Sequence, residues 1–253
     1  MELAKKDFLF HHHYGIGELG KDITLYDQDE MADELHRLES NQTSLAISLM
    51  KGIGPDHTVV DAGSGRGGTA FMLHLLLKCK VIGVNTSGYQ IDFSKNLASK
   101  MKMDNYVCFI FNNMERIDLD DESVDAIITN ETTMYIKRLK SLYVEFGRIL
   151  KKGGIYVNAT WCKNDLHEGD FIACQRIEEH YMVRMHFRSE YIKALVNNGF
   201  TPFSIWDLTE NAVPYWYLRS RYIHRTGIEG SFLEAYEKKE MNYMMIGAYK
   251  LKS

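Results

Sequence analysis

The chain of 253 residues is 45% hydrophobic and 25% charged, which suits one globular core and excludes a disordered, collagen-like or coiled-coil protein. Its formal net charge of −4 disfavours a non-specific nucleic-acid binder but leaves a local basic pocket open. Cys79, Cys108, Cys162 and Cys174 form no CxxC pair and no close framework, so neither a zinc knuckle nor a disulfide scaffold is indicated, and they read as reduced thiols.

The leading MELAKKDFLFHHH lacks the apolar stretch of a secretory signal, and the most apolar run, Phe71 to Val84, is broken by His74, Lys78 and Lys80. A cytoplasmic protein without membrane insertion is expected. His11, His12 and His13 run directly into Tyr14-Gly15-Ile16-Gly17 and are taken as native rather than as a tag remnant. From Asp29 to Ile53, Leu35, Leu38, Leu45, Leu49 and Met50 recur at helical spacing, with Gly52 and Gly54-Pro55 closing the helix. Thr58 to Ala62 then reads as a strand, Gly67 to Leu77 as a helix, Lys80 to Asn85 as a strand, Gly88 to Met103 as a helix and Val107 to Phe111 as a strand. Val124 to Thr129 is the next strand, Lys137 to Leu150 a helix, and Ile155 to Thr160 a strand entered through Gly153-Gly154.

This alternation predicts an α/β fold with a doubly wound parallel sheet, helices on both faces, and ligands at the carboxyl ends of the strands. The remainder is less regular: helical Asp170 to Met185 and Ser189 to Asn198, strand Thr201 to Asp207, helical Pro214 to Lys239 and strand Tyr243 to Leu251. No repeat and no Gly/Ser- or Pro-rich linker divides the chain, so a single domain is expected. It comprises an N-terminal segment and helix at 1–54, a cofactor-binding core at 55–162, a helical lid over the site at 163–200 and 210–240, and final strands at 201–209 and 241–253 that form a hairpin-like edge.

The segment Val59-Val60-Asp61-Ala62-Gly63-Ser64-Gly65-Arg66-Gly67-Gly68 joins the first strand to the next helix, where backbone without Cβ atoms lets a nucleotide-like ligand come close. Its glycines satisfy GxGxxG and GxGxG alike, so a dinucleotide is a candidate. A nicotinamide site, however, expects a carboxylate at the end of the second strand, and Gly83-Val84-Asn85-Thr86-Ser87 has none. Asp61 stands two residues before Gly63, where an acid can meet a cationic amino-acid ligand. The pattern favours S-adenosylmethionine over NAD. The plainer alternative is that Asp61 caps the turn and the glycines serve packing. Asn113, after the third strand, could bond an adenine edge or simply make a turn.

Several separated motifs resemble the class I methyltransferases and, within them, the prenyl diphosphate C-methyltransferases. These are His12-His13-Tyr14-Gly15-Ile16-Gly17, His36-Arg37-Leu38-Glu39-Ser40, Asp61 to Gly68, Asn130-Glu131-Thr132-Thr133-Met134-Tyr135, Asp207-Leu208-Thr209, Pro214-Tyr215-Trp216 and Thr226-Gly227-Ile228-Glu229. They span nearly the whole chain in the family's order. Thr86-Ser87 with Gln90 is similar to a wider group that includes cyclopropane fatty acid synthases. The resemblance implies a Rossmann-like seven-stranded sheet with an antiparallel last strand, S-adenosylmethionine as donor, and a prenyl diphosphate bound with magnesium. With the loop reading, it points to Asp61, Gly63, Gly65, Gly67, Asn85, Thr86, Gln90, Asn113, Met114 and Asn130 for the cofactor, and to Glu131 as a carboxylate base. Two departures bear on it. The long amino-terminal extension of the ten-carbon enzymes has no counterpart, which bears on the oligomer contacts of an expected homo-oligomer. Tyr181 stands where those enzymes carry a pocket Phe, so five-, ten- and fifteen-carbon acceptors all stay open.

Methylating an alkene demands a close, aligned methyl donor and a dry pocket that tolerates a cation. Aromatic faces supply that tolerance. Trp161, Phe171, Tyr181, Trp206, Tyr215 and Trp216 are candidates, each also readable as core packing. The cation must then lose a proton, a task for Glu131 with Tyr14 and Tyr181 as aromatic neighbours. The other reading of Glu131 is a helix cap or a partner of Arg138. His13, Tyr14, Tyr135, Trp161, His186, Arg188, Tyr215, Trp216 and Arg219 are the candidate substrate contacts, Arg188 and Arg219 as diphosphate donors together with Arg221. Adjacent histidines rarely share an ion, so magnesium bridged by the substrate diphosphate is expected rather than a protein cage. The competing functions are methyl transfer to another apolar acceptor, such as a lipid, sterol or polyketide, and a cofactor-binding module without catalysis.

Overall fold

The structure, a computed structural model, describes residues 7–251; residues 1–6 of the N-terminal segment and 252–253 of the last lie outside them. A first helix, α1 (Gln28–Ser48), starts at a capping box in which the Asp27 side chain accepts the Glu30 N–H and Glu30 bonds back to the Asp27 N–H. It stops short of the predicted Ile53 because the chain turns through Leu49 to Gly52, whose φ is +87°.

The next five elements match their predicted ranges to within three residues: β1 (Thr58–Ala62), α2 (Gly68–Leu77), β2 (Lys80–Asn85), α3 (Gly88–Lys100) and β3 (Val107–Phe111). Gly67 caps α2 in the left-handed region rather than belonging to it, and α3 ends before Met103 where Lys102 turns left-handed. After β4 (Val124–Asn130), helix α4 (Leu139–Ile149) passes without a loop into β5 (Leu150–Lys163). That strand begins five residues before the predicted Ile155, since Leu150 pairs with Val124 before a register shift around Gly153-Gly154 restores pairing at Ile155.

The lid region departs further from the sequence reading. Helix α5 (Ile172–Tyr181) is shorter than Asp170 to Met185 because Met182, at φ +54°, ends it. Helix α6 (Arg188–Asn197) and β6 (Phe200–Asp207) follow. The predicted single helix Pro214 to Lys239 is two: α7 (Thr209–Arg221) and α8 (Glu229–Glu237), parted by a turn in which Glu229 accepts the N–H groups of Thr226 and Gly227. Pro214 lies inside α7 instead of opening it, because the helix already begins at Thr209, whose N–H bonds the Asp207 carboxylate that ends β6. The last strand is β7 (Met241–Lys250).

The strands form one seven-stranded sheet in the order β3-β2-β1-β4-β5-β7-β6, parallel except for β7. The two final strands form the expected antiparallel, hairpin-like edge, with α7 and α8 in their connection: β7 inserts between β5 and β6, pairs antiparallel with both, and leaves β6 outermost. Strand order reverses between β1 and β4, which opens a crevice at their carboxyl ends. One apolar cluster packs α1, α2 and α3 on one face, including Phe71 and Phe109, and a second packs α4 and α6 on the other around Tyr143, Phe146 and Tyr156. A third, with Trp161, Tyr215, Trp216 and Phe232, joins α1, α5, α7 and α8 above the crevice. No described helix is long and apolar enough to cross a membrane.

Phe109 of β3 lies over Gly83 of β2, so a Cβ there would fall 2.4 Å from its ring. Gly83→Ala should destabilise the protein by about 1–3 kcal/mol, read as a lower urea midpoint; an unchanged midpoint would contradict this packing.

Candidate active site

Asp61 occupies β1 one residue before its end. It is buried, accepts the Ala70 N–H, and leaves Oδ2 without a partner; burial pushes its carboxyl up to about 7. The chain then folds back so that the Gly63 and Ser64 N–H groups both bond the Val84 carbonyl, at 2.8 and 3.0 Å. Gly63 is at φ +87°, and a Cβ there would lie 2.4 Å from Thr132, so only glycine fits. The turn opens a cavity of about 350 Å³ lined by Asp61, Gly63, Gly65, Asn85, Thr86, Gln90, Met114, Asn130, Glu131 and Tyr135, with His11, His12 and His13 as one wall. Asn85 is steered by its own Nδ2, which donates to Gln90 Oε1 at 2.6 Å and Gly65 O at 3.3 Å.

Glu131 follows β4 in a left-handed conformation, φ +51°, its N–H tied to Ala159 O at 2.8 Å. This turn aims the carboxyl back over the sheet, where it is 7% exposed. It accepts from Tyr243 Oη at 2.6 Å, from Trp161 Nε1 at 3.3 Å and from the Tyr14 N–H. Among the described residues no cation pairs with it. Burial pushes the carboxyl up to about 7 while these donors pull the other way. The expected alternative partner, Arg138, instead sits at the start of α4.

The aromatic wall beside Glu131 is built from the N-terminal segment and the helices α5, α7 and α8. Trp216 stacks on Phe232 with ring centroids 3.7 Å apart, Tyr14 lies 4.3 Å from Trp216, and Tyr181 lies 6.1 Å from Trp161. The Tyr14 hydroxyl donates to that of Tyr181 at 2.5 Å. Behind them Tyr215 donates to Glu39 Oε1 at 2.8 Å. Burial pushes Glu39 up to about 8, against the pull of Tyr215 and Arg219. Arg219 reaches within 3.8 Å of Glu229.

Several sequence-predicted contacts are displaced. Gly67 packs against Phe109 and Phe71 and does not line the cavity. Asn113 is exposed, its Oδ1 accepting the Glu115 N–H, so the turn reading holds and the neighbouring Met114 faces the cavity instead. His186 is buried away from the cavity, donating from Nε2 to the Ile136 carbonyl at 2.7 Å. Arg188 pairs with Asp207 at 3.1 Å. Trp206 packs on the cluster across the sheet, and Phe171 meets Phe187 edge-on. His13 does line the cavity, but burial lowers it to about 4 and both nitrogens are engaged. Nδ1 donates to Tyr14 O at 3.1 Å, and Nε2 meets Thr43 Oγ1 at 2.8 Å. It shapes the wall as a neutral ring and offers no charge to an anion.

Tyr243 and Gln42 escaped the sequence reading, and Glu39 entered it only as part of the His36 to Ser40 motif, without a role. Glu39 and Gln42 were visible as polar residues on the apolar stripe Leu35, Leu38, Ala46 of α1, a place that polar groups occupy only when partnered. Tyr243 reaches Glu131 because β7 sets it opposite Trp161, a pairing no local pattern reveals. Among the described residues no cluster of three His, Cys, Asp or Glu side chains could hold a metal ion.

A family model described as a methyltransferase domain matches residues 53–206. The chain is 40% identical over 252 residues to geranyl diphosphate 2-C-methyltransferase of Saccharopolyspora erythraea, covering 98% of this chain and 88% of that protein. It is 38% identical over 253 residues to the enzyme of the same name from Streptomyces ambofaciens, covering 98% and 87%. In three dimensions it matches, with a TM-score of 0.95 and 37% identity over 99% of this chain and 93% of that one, geranyl diphosphate C-methyltransferase from Streptomyces coelicolor A3(2) in complex with Mg2+, geranyl diphosphate and S-adenosyl-L-homocysteine.

Tyr215→Phe leaves the buried Glu39 without its hydroxyl donor. It should cost about 1–3 kcal/mol of stability, measured by urea unfolding; a wild-type midpoint would show that Glu39 does not depend on this bond.

Proposed function

The chain belongs to the geranyl diphosphate C-methyltransferase family, and from that premise and the site geometry we propose that it methylates an alkene carbon of a prenyl diphosphate, geranyl diphosphate first, using S-adenosylmethionine. The observation that carries the reading is a buried carboxylate, Glu131, without a cation partner among the described residues, standing between the glycine-loop cavity and an aromatic wall.

The residues present fit the donor. Asp61 lines the cavity with its Oδ2 buried and without a partner among the described residues, which suits an ammonium, while Gly63 and Gly65 leave backbone open to a nucleoside, and Asn85, Gln90 and Asn130 offer amides along the same wall. When bound, S-adenosylmethionine supplies the methyl group that the alkene takes up, leaving a cation on the acceptor chain. Tyr135 is the aromatic on the cavity lining itself; Tyr14, Tyr181, Trp161 and Trp216 pack with Phe232 into the cluster beyond Glu131, and we place the acceptor chain against that cluster, whose ring faces would tolerate the cation and exclude water. Glu131 then takes a proton at a carboxylate oxygen. With its ionisation near 7, the carboxyl is both available as base and strong enough to accept the proton at neutral pH. Arg219 and Tyr135 are the residues we place toward the diphosphate, with His186 and Arg188 set aside. Magnesium is placed on the substrate diphosphate, whose oxygens are the hard ligands it prefers.

Glu131→Gln should lower turnover at least about 100-fold while leaving S-adenosylhomocysteine affinity, read by calorimetry, within threefold of wild type; retained turnover would remove Glu131 as base. In wild type, kcat should fall as the pH drops below about 7, since protonation of Glu131 abolishes the base. Parallel incubations with five-, ten- and fifteen-carbon prenyl diphosphates, S-adenosylmethionine and magnesium, analysed by mass spectrometry, test the acceptor. A methylated ten-carbon product supports the reading. Product only from another chain length replaces geranyl diphosphate as the acceptor within the same reaction class, whereas none from any prenyl diphosphate contradicts the reading and directs attention to other apolar acceptors.

A further inference from the structure

Gln42 on α1 is 0% exposed, and its amide is fully engaged. Nε2 donates to Tyr243 Oη at 2.9 Å and to Asn130 Oδ1 at 2.7 Å, and Oε1 accepts from Asn130 Nδ2 at 2.9 Å and from Thr43 Oγ1 at 3.4 Å. Tyr243 has one hydroxyl hydrogen, and an ionised carboxylate can only accept. With that hydrogen donated to Glu131 at 2.6 Å, the Tyr243 oxygen can only accept from its other neighbours, and Gln42 sets its NH2 there. Turning Gln42 over alone would put its oxygen against Asn130 Oδ1, so the reciprocal amide pair holds it in place.

We propose that Gln42 is a positioning residue for the base: by donating to the Tyr243 oxygen it holds that hydroxyl's hydrogen on Glu131 Oε1 and thereby preserves the carboxylate as proton acceptor. The inference deepens the reading of Glu131 given above and rests on it. Gln42 also joins the two halves of the site, since the same amide orders Asn130 on the cavity wall.

The test is the pH dependence of kcat with geranyl diphosphate for wild type, Gln42→Met, Gln42→Glu, Tyr243→Phe and the Gln42→Met/Tyr243→Phe double variant. In Gln42→Met the Tyr243 hydrogen is no longer held, and the acid limb should move up by roughly one pH unit. Gln42→Glu should move it further, because the new carboxylate draws the hydrogen away from Glu131. Tyr243→Phe should move it as far as Gln42→Met, and the double variant no further than Tyr243→Phe, because both substitutions act through one hydroxyl. Activity of Gln42→Met should recover at high pH. A Gln42→Met that loses the same fraction of activity at every pH, or a double shift equal to the sum of the singles, would overturn the proposal. If circular dichroism shows Gln42→Met unfolded, the near-isosteric Gln42→Glu carries the test alone, an unmoved limb counting against. A wild-type profile lacking any acid limb would instead overturn the reading of Glu131 itself, and this inference with it, whereas a normal wild-type limb left in place by the Gln42 variants overturns only the role of Gln42.

Discussion

Everything at this site depends on keeping one carboxyl group out of water without giving it a counter-ion. Glu131 lies beneath an aromatic wall, and its polar neighbours are a phenol, an indole N–H and a backbone N–H. An arginine or lysine in contact would hold the carboxyl well ionised and make it a feeble base, while bare burial would leave it protonated. Neutral donors lie between these extremes. They lower the cost of the charge without abolishing the group's affinity for a proton, which is the condition for a base working near neutrality.

The fold supplies that environment from distant parts of the chain. The left-handed turn at Glu131 ends β4 and directs the side chain over the sheet edge, Trp161 comes from β5, Tyr243 from the antiparallel β7, and the Tyr14 N–H from the segment before α1. The insertion of β7 between β5 and β6 therefore has a chemical consequence, because it places Tyr243 directly opposite Trp161 so that both can reach the two carboxylate oxygens. Helix α1 closes the arrangement from above, with Gln42 directed at the sheet and Glu39 at Tyr215 of α7. The glycine loop stands next to it, and Asn130, the residue before Glu131, faces the same cavity as Asp61.

Much of this was legible in the amino-acid sequence where the signal is local. The β1-loop-α2-β2 unit follows from a short apolar run, glycines with positive φ and a second apolar run, and its residues Asp61, Gly63, Gly65, Asn85, Thr86 and Gln90 do meet at one cavity. Glu131 was legible from its place at a strand end within a motif. What failed was side-chain direction and long-range pairing. His186, Arg188 and Asn113 have the right chemistry for a ligand, yet each is occupied by a nearby carbonyl, carboxylate or N–H that sequence spacing does not reveal. Tyr243 was passed over as one aromatic residue in an apolar strand, since its role exists only once β7 lies against β5. The split of the expected helix at Tyr222 to Ile228 was hidden because Glu229, the first residue of α8, reaches backwards to hold the N–H groups of the turn before it, a signal easily mistaken for continued helix.

The central claim is that Glu131 ionises near neutrality in the free protein. Infrared difference or 13C NMR titration of protein carrying 13C-labelled glutamate carboxyls, with Glu131→Gln as the assignment control, measures this directly. The account predicts a carboxyl signal that titrates near pH 7 and vanishes in the variant; a Glu131 signal that titrates at the ordinary value of about 4.3 would contradict it.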